Sequence, residues 1–160
     1  LMSVRESADY YIDTSDLSTA QLKETLYTLF LDNPNDSMVV KVMSFGTKFG
    51  CAREADLVFD VRCLPNPFYI PELKEHTGLE ECVSGYVMQF DQSKELLKKL
   101  TDLIDFLIPL YHREGKSQLV IAFGCTGGKH RSVTFAEAIF KHLQEKGVRS
   151  RICHRDINKK

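Results

Sequence analysis

Residues 119–132 read LVIAFGCTGGKHRS, and this stretch predicts the architecture of the surrounding chain. Residues 119–123 are continuously apolar, which is typical of a strand buried on both faces of a sheet. A glycine-rich turn follows, and residues 132–145 then carry apolar side chains at helical spacing. The sequence therefore predicts a buried strand, a loop and a helix, the repeating unit of an α/β fold.

Other segments extend this pattern on both sides. Strands are predicted at 38–45, 57–62 and 148–154, and a long helix at 92–112 that ends before Gly115. We therefore predict an α/β domain over residues 37–160, with a mostly parallel sheet flanked by helices. Residues 1–36 carry only a short β-prone run at 10–15 and a helix that starts at the capping box formed by Ser18 and Gln21. Because these two elements cannot bury their own faces, we assign 1–36 to the end of a preceding domain or a linker.

Composition narrows the class of protein. A chain of 160 residues that is 43% hydrophobic can bury a core, which excludes a disordered tail. No apolar run approaches the ~18 residues that a membrane-spanning helix needs. The five cysteines include no C-x-x-C pair, so we predict reduced thiols in a cytoplasmic protein, and no structural zinc or other metal.

The glycine-rich loop has the composition of a site for an anion. Glycines let successive backbone N–H groups point at one ligand, and the following helix N-terminus adds partial positive charge. Arg131 offers a planar fork that suits a phosphate, and Lys129 offers a point charge. The loop must also lie at the carboxyl end of its strand, where ligands of α/β proteins gather. The candidate phosphate-site residues are Cys125, Thr126, Gly127, Gly128, Lys129, His130, Arg131 and Ser132.

Two functions remain open for this loop. Cys125 and Arg131 have the C-x5-R spacing of cysteine-dependent phosphatases, in which a thiolate attacks phosphorus while the loop amides and the arginine hold the oxygens. Those enzymes usually place a histidine before the cysteine, where this chain has Gly124, and they need an acid, for which Asp60 and Asp91 are the candidates. In the other interpretation the loop only binds its ligand, and Cys125 is a small apolar residue at a strand end.

Several motifs together resemble one family. They are SFGTKFG at 44–50, ADLVFDVR at 55–62, LPNP at 64–67, TGL at 77–79 and the loop itself. This combination is similar to the C-terminal domain of the RapZ family, also called YvcJ-type nucleotide-binding proteins or RNase adapter proteins. Residues 6–9 and 12–15 resemble the close of that family's N-terminal domain. The resemblance covers essentially the whole chain.

The resemblance implies a regulatory rather than a catalytic role. The family joins a P-loop domain that binds ATP or GTP to a C-terminal domain of this kind. This chain contains no G-x-x-x-x-G-K-[ST] sequence, so no nucleotide cofactor is expected for it. In enterobacterial members the C-terminal domain senses glucosamine 6-phosphate and binds small RNAs for presentation to a ribonuclease. For the full-length protein the resemblance implies a homo-oligomer.

The resemblance also extends the candidate site beyond the loop. Lys48, Arg62 and Asn66 follow predicted strands and would complete a sugar-phosphate pocket. As an alternative, Arg62 pairs with a neighbouring acid such as Asp60, and Asn66 serves the Pro-Asn-Pro turn. Phe68 stands where enterobacterial relatives have a histidine, so the selectivity for the sugar is expected to differ.

The last twenty residues are strongly basic. Residues 141–160 carry seven basic and two acidic side chains, whereas residues 1–36 carry two basic and seven acidic ones. The basic end suits a nucleic-acid backbone, and the resemblance makes RNA the expected partner. A solvated helix end and tail is the alternative. The candidate RNA-binding residues are Arg149, Arg151, Arg155, Lys159 and Lys160.

Overall fold

A computed structural model describes residues 12, 14–15, 17–30 and 38–159. Over residues 38–159, two strands are followed by two helices, and then by a strand, a helix and a last strand. The helices are α1 (Thr19–Phe30), α2 (Glu81–Met88), α3 (Asp91–Arg113) and α4 (Arg131–Glu145). The strands are β1 (Val39–Gly46), β2 (Leu57–Asp60), β3 (Gln118–Cys125) and β4 (Ser150–His154), and single 3-10 turns lie at Thr47–Phe49 and Pro67–Tyr69.

The four strands form one parallel sheet in the order β2-β3-β1-β4. In its register Gly46 lies beside Cys125, and Asp60 lies beside Gly124. Because all four strands run the same way, their carboxyl ends meet at one edge of the sheet. The predicted α/β fold with a parallel, helix-flanked sheet is therefore confirmed.

The main core lies between the sheet and the helices. Val42 and Phe123 on the strands are fully buried, as are Phe135 and Ile139 on α4. The ring of Phe123 lies 5.6 Å from that of Phe59 on β2 and 6.5 Å from that of Phe135. The opposite sheet face carries a smaller cluster, formed by Met43, Phe45, Ala52 and Ala122. The apolar run of β3 is thus buried from both sides, as its composition predicted.

The predicted elements correspond to observed ones within a few residues. The capping box is confirmed: the Ser18 backbone N–H donates to Gln21 Oε1 at 2.9 Å, and the Gln21 N–H donates to Ser18 Oγ at 3.3 Å. Helix α2 was not predicted, because it is only eight residues long and buries just Val83 and Val87. Half of the run at 10–15 lies outside the described residues, and the described residues 12, 14 and 15 do not lie in a strand. None of the helices in the described part of the chain is long and apolar enough to span a membrane.

Candidate functional site

The glycine-rich loop packs directly against the end of β1. Gly128 has a φ of +70°, and a Cβ at this position would lie 2.5 Å from the backbone nitrogen of Gly46. A Cβ on Gly46 would in turn lie 2.8 Å from the carbonyl carbon of Gly127. The backbone N–H of Lys48 donates to the carbonyl oxygen of Thr126 at 3.2 Å. Two glycines therefore allow a backbone contact that no side chain would permit, and this contact fixes the loop at the edge of the sheet.

The loop forms one wall of a cavity of about 640 Å³. Most of the charged lining residues are cations, and Glu75 is the one acidic residue among them. A cavity with this imbalance attracts negatively charged ligands. Its lining consists of Lys48, Asn66, Phe68, Tyr69, Lys74, Glu75, Cys125, Thr126, Gly127, Lys129, His130, Arg131 and Lys159.

Arg131 is a buried cation in this lining, only 5% exposed. Its Nη1 donates to two backbone carbonyl oxygens, that of Arg62 at 2.8 Å and that of Leu64 at 2.9 Å. Its Nε is buried and has no hydrogen-bond partner among the described residues. Nε and Nη2 form the edge of the guanidinium that can hold two oxygens of a carboxylate or phosphate. Arg131 is thus anchored through Nη1, while the hydrogen-bonding capacity of its Nε is unused among the described residues.

His130 fixes the loop from the other side. Its Nε2 lies 3.2 Å from the carbonyl oxygen of Lys74, and since a carbonyl only accepts, Nε2 carries the proton. Burial lowers the pKa of His130 from the usual 6.5, so the imidazole is neutral at pH 7. The backbone N–H of Gly78 also donates to the carbonyl oxygen of Lys129 at 2.9 Å. The segment 74–78 and the loop therefore support each other.

A buried carboxylate supports the cavity beside β1. Asp156 Oδ2 accepts hydrogen bonds from the Gly46 N–H at 2.8 Å and from Arg155 Nε and Nη2 at 3.0 and 2.8 Å. Lys159 Nζ lies 2.7 Å from Oδ1. Burial alone would raise the pKa of Asp156, but the hydrogen bonds from Arg155, Lys159 and Gly46 outweigh it and lower the pKa to about 2. The carboxylate therefore stays ionised across the physiological range.

The structure brings together most of the residues predicted for the ligand site. Three of them lie outside the cavity lining: Arg62, Gly128 and Ser132. The Arg62 side chain is exposed and binds Asp60, with Nη2 at 2.6 Å from Oδ2, as the alternative interpretation anticipated. Gly128 serves the backbone contact described above. Ser132 is fully buried, and its Oγ lies 3.1 Å from Cys125 Sγ. The predicted residues that do line the cavity are Lys48, Asn66, Cys125, Thr126, Gly127, Lys129, His130 and Arg131.

Sequence reasoning missed the outer wall of the cavity. This wall comes from the segment after β2, where Phe68 and Tyr69 form a 3-10 turn and Lys74 and Glu75 follow. The segment has neither helical nor strand periodicity, so no pattern indicated which side chains face the site. The departure from the family at Phe68 was the one available signal. Lys159 also lines the cavity, although the sequence suggested only a role in RNA binding.

The basic end does not form one uniform surface. Arg149 and Arg151 are exposed at β4, the edge strand of the sheet. Arg155 instead donates to the carbonyl oxygens of Cys51 and Gly50, at 3.0 and 2.7 Å, in addition to Asp156. Lys160 lies outside the described residues. The predicted RNA-binding residues in the described part of the chain therefore divide between two places, Arg149 and Arg151 near the edge strand, and Arg155 and Lys159 around Asp156.

The fold and the cavity define a class of protein, an α/β domain with a cation-lined cavity at the carboxyl edge of its parallel sheet. Within that class, the family model described as the RapZ C-terminal domain matches residues 38–158. The chain belongs to this family.

Close relatives extend over nearly the whole chain. It is 55% identical over 160 residues to a nucleotide-binding protein of Caldicellulosiruptor saccharolyticus, covering 99% of this chain and 55% of the relative. It is 56% identical over 158 residues to a nucleotide-binding protein of Caldanaerobacter subterraneus subsp. tengcongensis, covering 98% and 56%. A nucleotide-binding protein of Bacillus cytotoxicus is 52% identical over 160 residues, covering 100% and 54%. The chain thus spans little more than half the length of these relatives.

Proposed function

We propose that this chain is the regulatory domain of a RapZ-type nucleotide-binding RNase adapter protein, and that its cavity binds a phosphorylated amino sugar such as glucosamine 6-phosphate. Arg131 carries the proposal. A buried guanidinium whose Nε has no partner is costly unless a ligand supplies an acceptor, and a phosphate supplies two on the same edge.

The surrounding charges fit a phosphate dianion. Lys48, Lys129 and Lys159 line the same cavity as Arg131, and the N-terminus of α4 follows directly after His130. Each lysine brings a point charge on a flexible side chain, whereas the planar guanidinium of the arginine fixes the direction of its hydrogen bonds. The phosphate is therefore expected at Arg131 and the loop amides, with the sugar extending toward the wall formed by residues 68–75.

Glu75 supports an amino sugar over a neutral one. It is the one acidic residue of the lining, and it belongs to the outer wall rather than to the glycine-rich loop. A protonated amine on the sugar would find its counter-charge there. Because Glu75 is exposed, this preference is expected to be modest, at ~1 kcal/mol or less.

The test is the thermal stabilisation of the protein by a panel of ligands. Glucosamine 6-phosphate should raise the melting temperature more than glucose 6-phosphate, and both more than glucosamine, because only a ligand that binds the folded state stabilises it. Lys129→Met should reduce the shift, whereas Lys98→Met, at an exposed position on α3, should not. If no phosphosugar shifts the melting temperature, the proposed function is wrong.

RNA binding is the second part of the proposal, and the edge strand favours it. Arg149 and Arg151 are exposed there, and Arg151 stands in register with Lys41 of β1, which places the two on the same sheet face. Cations on a regular spacing suit phosphate contacts. Replacing Arg149 and Arg151 with alanine should weaken a gel shift at moderate salt, whereas Lys98→Ala and Lys99→Ala together should leave it unchanged. An unaltered shift in the first variant would refute this part.

A cysteine phosphatase remains the alternative, and an activity assay distinguishes it from a sensor. The contact between Cys125 Sγ and Ser132 Oγ suits a thiol in such a loop. However, neither Asp60 nor Asp91 lines the cavity, so neither candidate acid faces Cys125 across it. Hydrolysis of a chromogenic phosphate ester that Cys125→Ser abolishes would favour the enzyme over the sensor.

A further inference from the structure

A second cluster of reactive side chains lies outside the cavity lining. It consists of His76, Glu80 and Cys82, whose imidazole nitrogen, carboxylate oxygen and thiol sulfur all lie within 4.8 Å of one another. The side chains of His76 and Glu80 are each 47% exposed, so an ion can reach them from solvent. The proposed function makes no use of these three residues.

The donor types indicate which ion would fit. A thiolate and an imidazole together favour Zn²⁺ over Mg²⁺ and Ca²⁺, which prefer oxygen ligands. Zinc takes nitrogen, oxygen and sulfur at ~2.0–2.3 Å, so tetrahedral ligand atoms stand ~3.3–3.8 Å apart. In the structure the three donor atoms lie within 4.8 Å of one another, about 1 Å beyond the distance expected around zinc. A rotation of the exposed side chains can close a difference of this size.

The backbone beneath the cluster is held in place. Gly78, between His76 and Glu80, donates to the Lys129 carbonyl oxygen at 2.9 Å, and a Cβ on Gly78 would lie 2.4 Å from the carbonyl oxygen of His130. The segment therefore packs closely against the glycine-rich loop at Gly78. Such a frame keeps the side chains that project from it near one another.

Glu80 is already oriented for this role. Its Oε1 accepts hydrogen bonds from the Thr77 backbone N–H at 2.8 Å and from Thr77 Oγ1 at 3.3 Å. Its Oε2 lies 2.6 Å from His76 Nδ1. An ion would take Oε2 and Nδ1 as ligands in place of the bond between them, while Thr77 continues to hold Oε1. Hydrogen bonds of this kind fix the orientation of metal ligands.

We propose that His76, Glu80 and Cys82 bind one Zn²⁺ ion, with water in the fourth position. No sequence pattern indicates this site, because H-x3-E-x-C contains neither a C-x-x-C pair nor two histidines on one helix face. The structure unites the residues by turning the chain at Gly78 and starting α2 at Glu81.

The experiment is a titration of the metal-stripped, reduced protein with Co²⁺ and then Zn²⁺. Cobalt should produce a thiolate charge-transfer band that saturates at one ion per chain and disappears when Zn²⁺ displaces it. Cys82→Ser should abolish the band, and His76→Gln should lower the Zn²⁺ affinity by about 100-fold or more. Cys51→Ser and Cys63→Ser, which change exposed cysteines outside the cluster, should leave both unchanged.

Two outcomes would overturn the proposal: absence of the band in the unmodified protein, or its persistence in Cys82→Ser. Circular dichroism of each variant separates the loss of a ligand from the loss of the fold. Because the readout is metal binding alone, it can fail while the phosphosugar proposal succeeds, and the reverse is equally possible.

Discussion

Two arginines at the carboxyl edge of the sheet have opposite surroundings. Arg155 follows β4 and meets the carboxylate of Asp156 and backbone carbonyl oxygens of the loop after β1. Arg131 follows β3 and meets only the carbonyl oxygens of Arg62 and Leu64, leaving Nε without a partner among the described residues. The charge of Arg155 is neutralised by a hydrogen-bonded carboxylate, whereas Arg131 forms no ion pair among the described residues, although its charge helps to lower the pKa of Asp60. In the proposed function this difference makes Arg155 a structural residue and Arg131 a ligand-binding one.

The largest expected effect comes from Arg131. Arg131→Ala removes two charge-assisted hydrogen bonds to the phosphate, each worth roughly 1.5–3 kcal/mol, so the affinity for glucosamine 6-phosphate should fall by ~100-fold or more. Arg155→Ala should leave that affinity close to that of the unmodified protein. Calorimetric titration measures the affinity of each variant, and equal losses in the two variants would show that the two arginines do not differ in their role in binding. Because Arg131 also binds two carbonyl oxygens, Arg131→Lys serves as a variant that keeps the charge but lacks the fork.

The second-largest effect is expected from Asp156, the carboxylate that binds Arg155. Asp156→Asn keeps the size of the side chain but removes the charge that Arg155 and Lys159 bind. We expect the free energy of unfolding to fall by roughly 2–3 kcal/mol, from the pKa of about 2 against 3.8 and from the cost of breaking a buried ion pair. Urea denaturation measures this change. A loss comparable to that of the exposed control Asp102→Asn would show that the buried carboxylate is not structural.

The contributions of His130 and Asp156 to the stability of the fold should be lost at different pH values. The folded-state pKa of His130 lies below 6.5, so the unfolded state binds the extra proton and stability falls as the pH drops below 6.5. The folded-state pKa of Asp156 is about 2, so its contribution is complete above 3.8 and is lost as the pH falls toward 2. Melting temperatures across this range should show a weak early decline, absent in His130→Gln, and a stronger late one, absent in Asp156→Asn. If the melting temperature of Asp156→Asn also declines strongly toward pH 2, other carboxylates cause that decline.

The smallest effect is expected at the outer wall. Glu75→Gln should lower the preference for glucosamine 6-phosphate over glucose 6-phosphate by a few fold, corresponding to under ~1 kcal/mol for an exposed charge pair. The absolute affinity for glucose 6-phosphate should rise slightly or stay the same, since a negative charge leaves the cavity. Competition titrations with the two sugars measure the ratio. If the ratio of the two affinities does not change, Glu75 does not bind the amine of the sugar.

Local sequence patterns predicted the regular elements of the sheet and the long helices, but not the outer wall of the cavity. Strand β3, the glycine loop and α4 were predictable because burial, turn chemistry and helical spacing all lie within residues 118–145. The contrast between Arg131 and Arg155 was not, since it depends on Asp156 reaching Gly46, 110 residues away in the chain. The wall at 68–75 was missed for a different reason, because a 3-10 turn followed by irregular backbone has no period to detect.

The contact between Gly46 and Gly128 lies behind the glycine-rich loop and makes that side of the site difficult to change, whereas the outer wall is free to vary. Any side chain at either glycine would force the two backbones apart, so substitutions there are expected to disrupt the loop before they alter selectivity. The exposed residues 68, 69, 74 and 75 carry no such constraint. Under the proposed function, substitutions in the outer wall alone would change which sugar is bound and would leave the phosphate position at the glycine-rich loop unchanged.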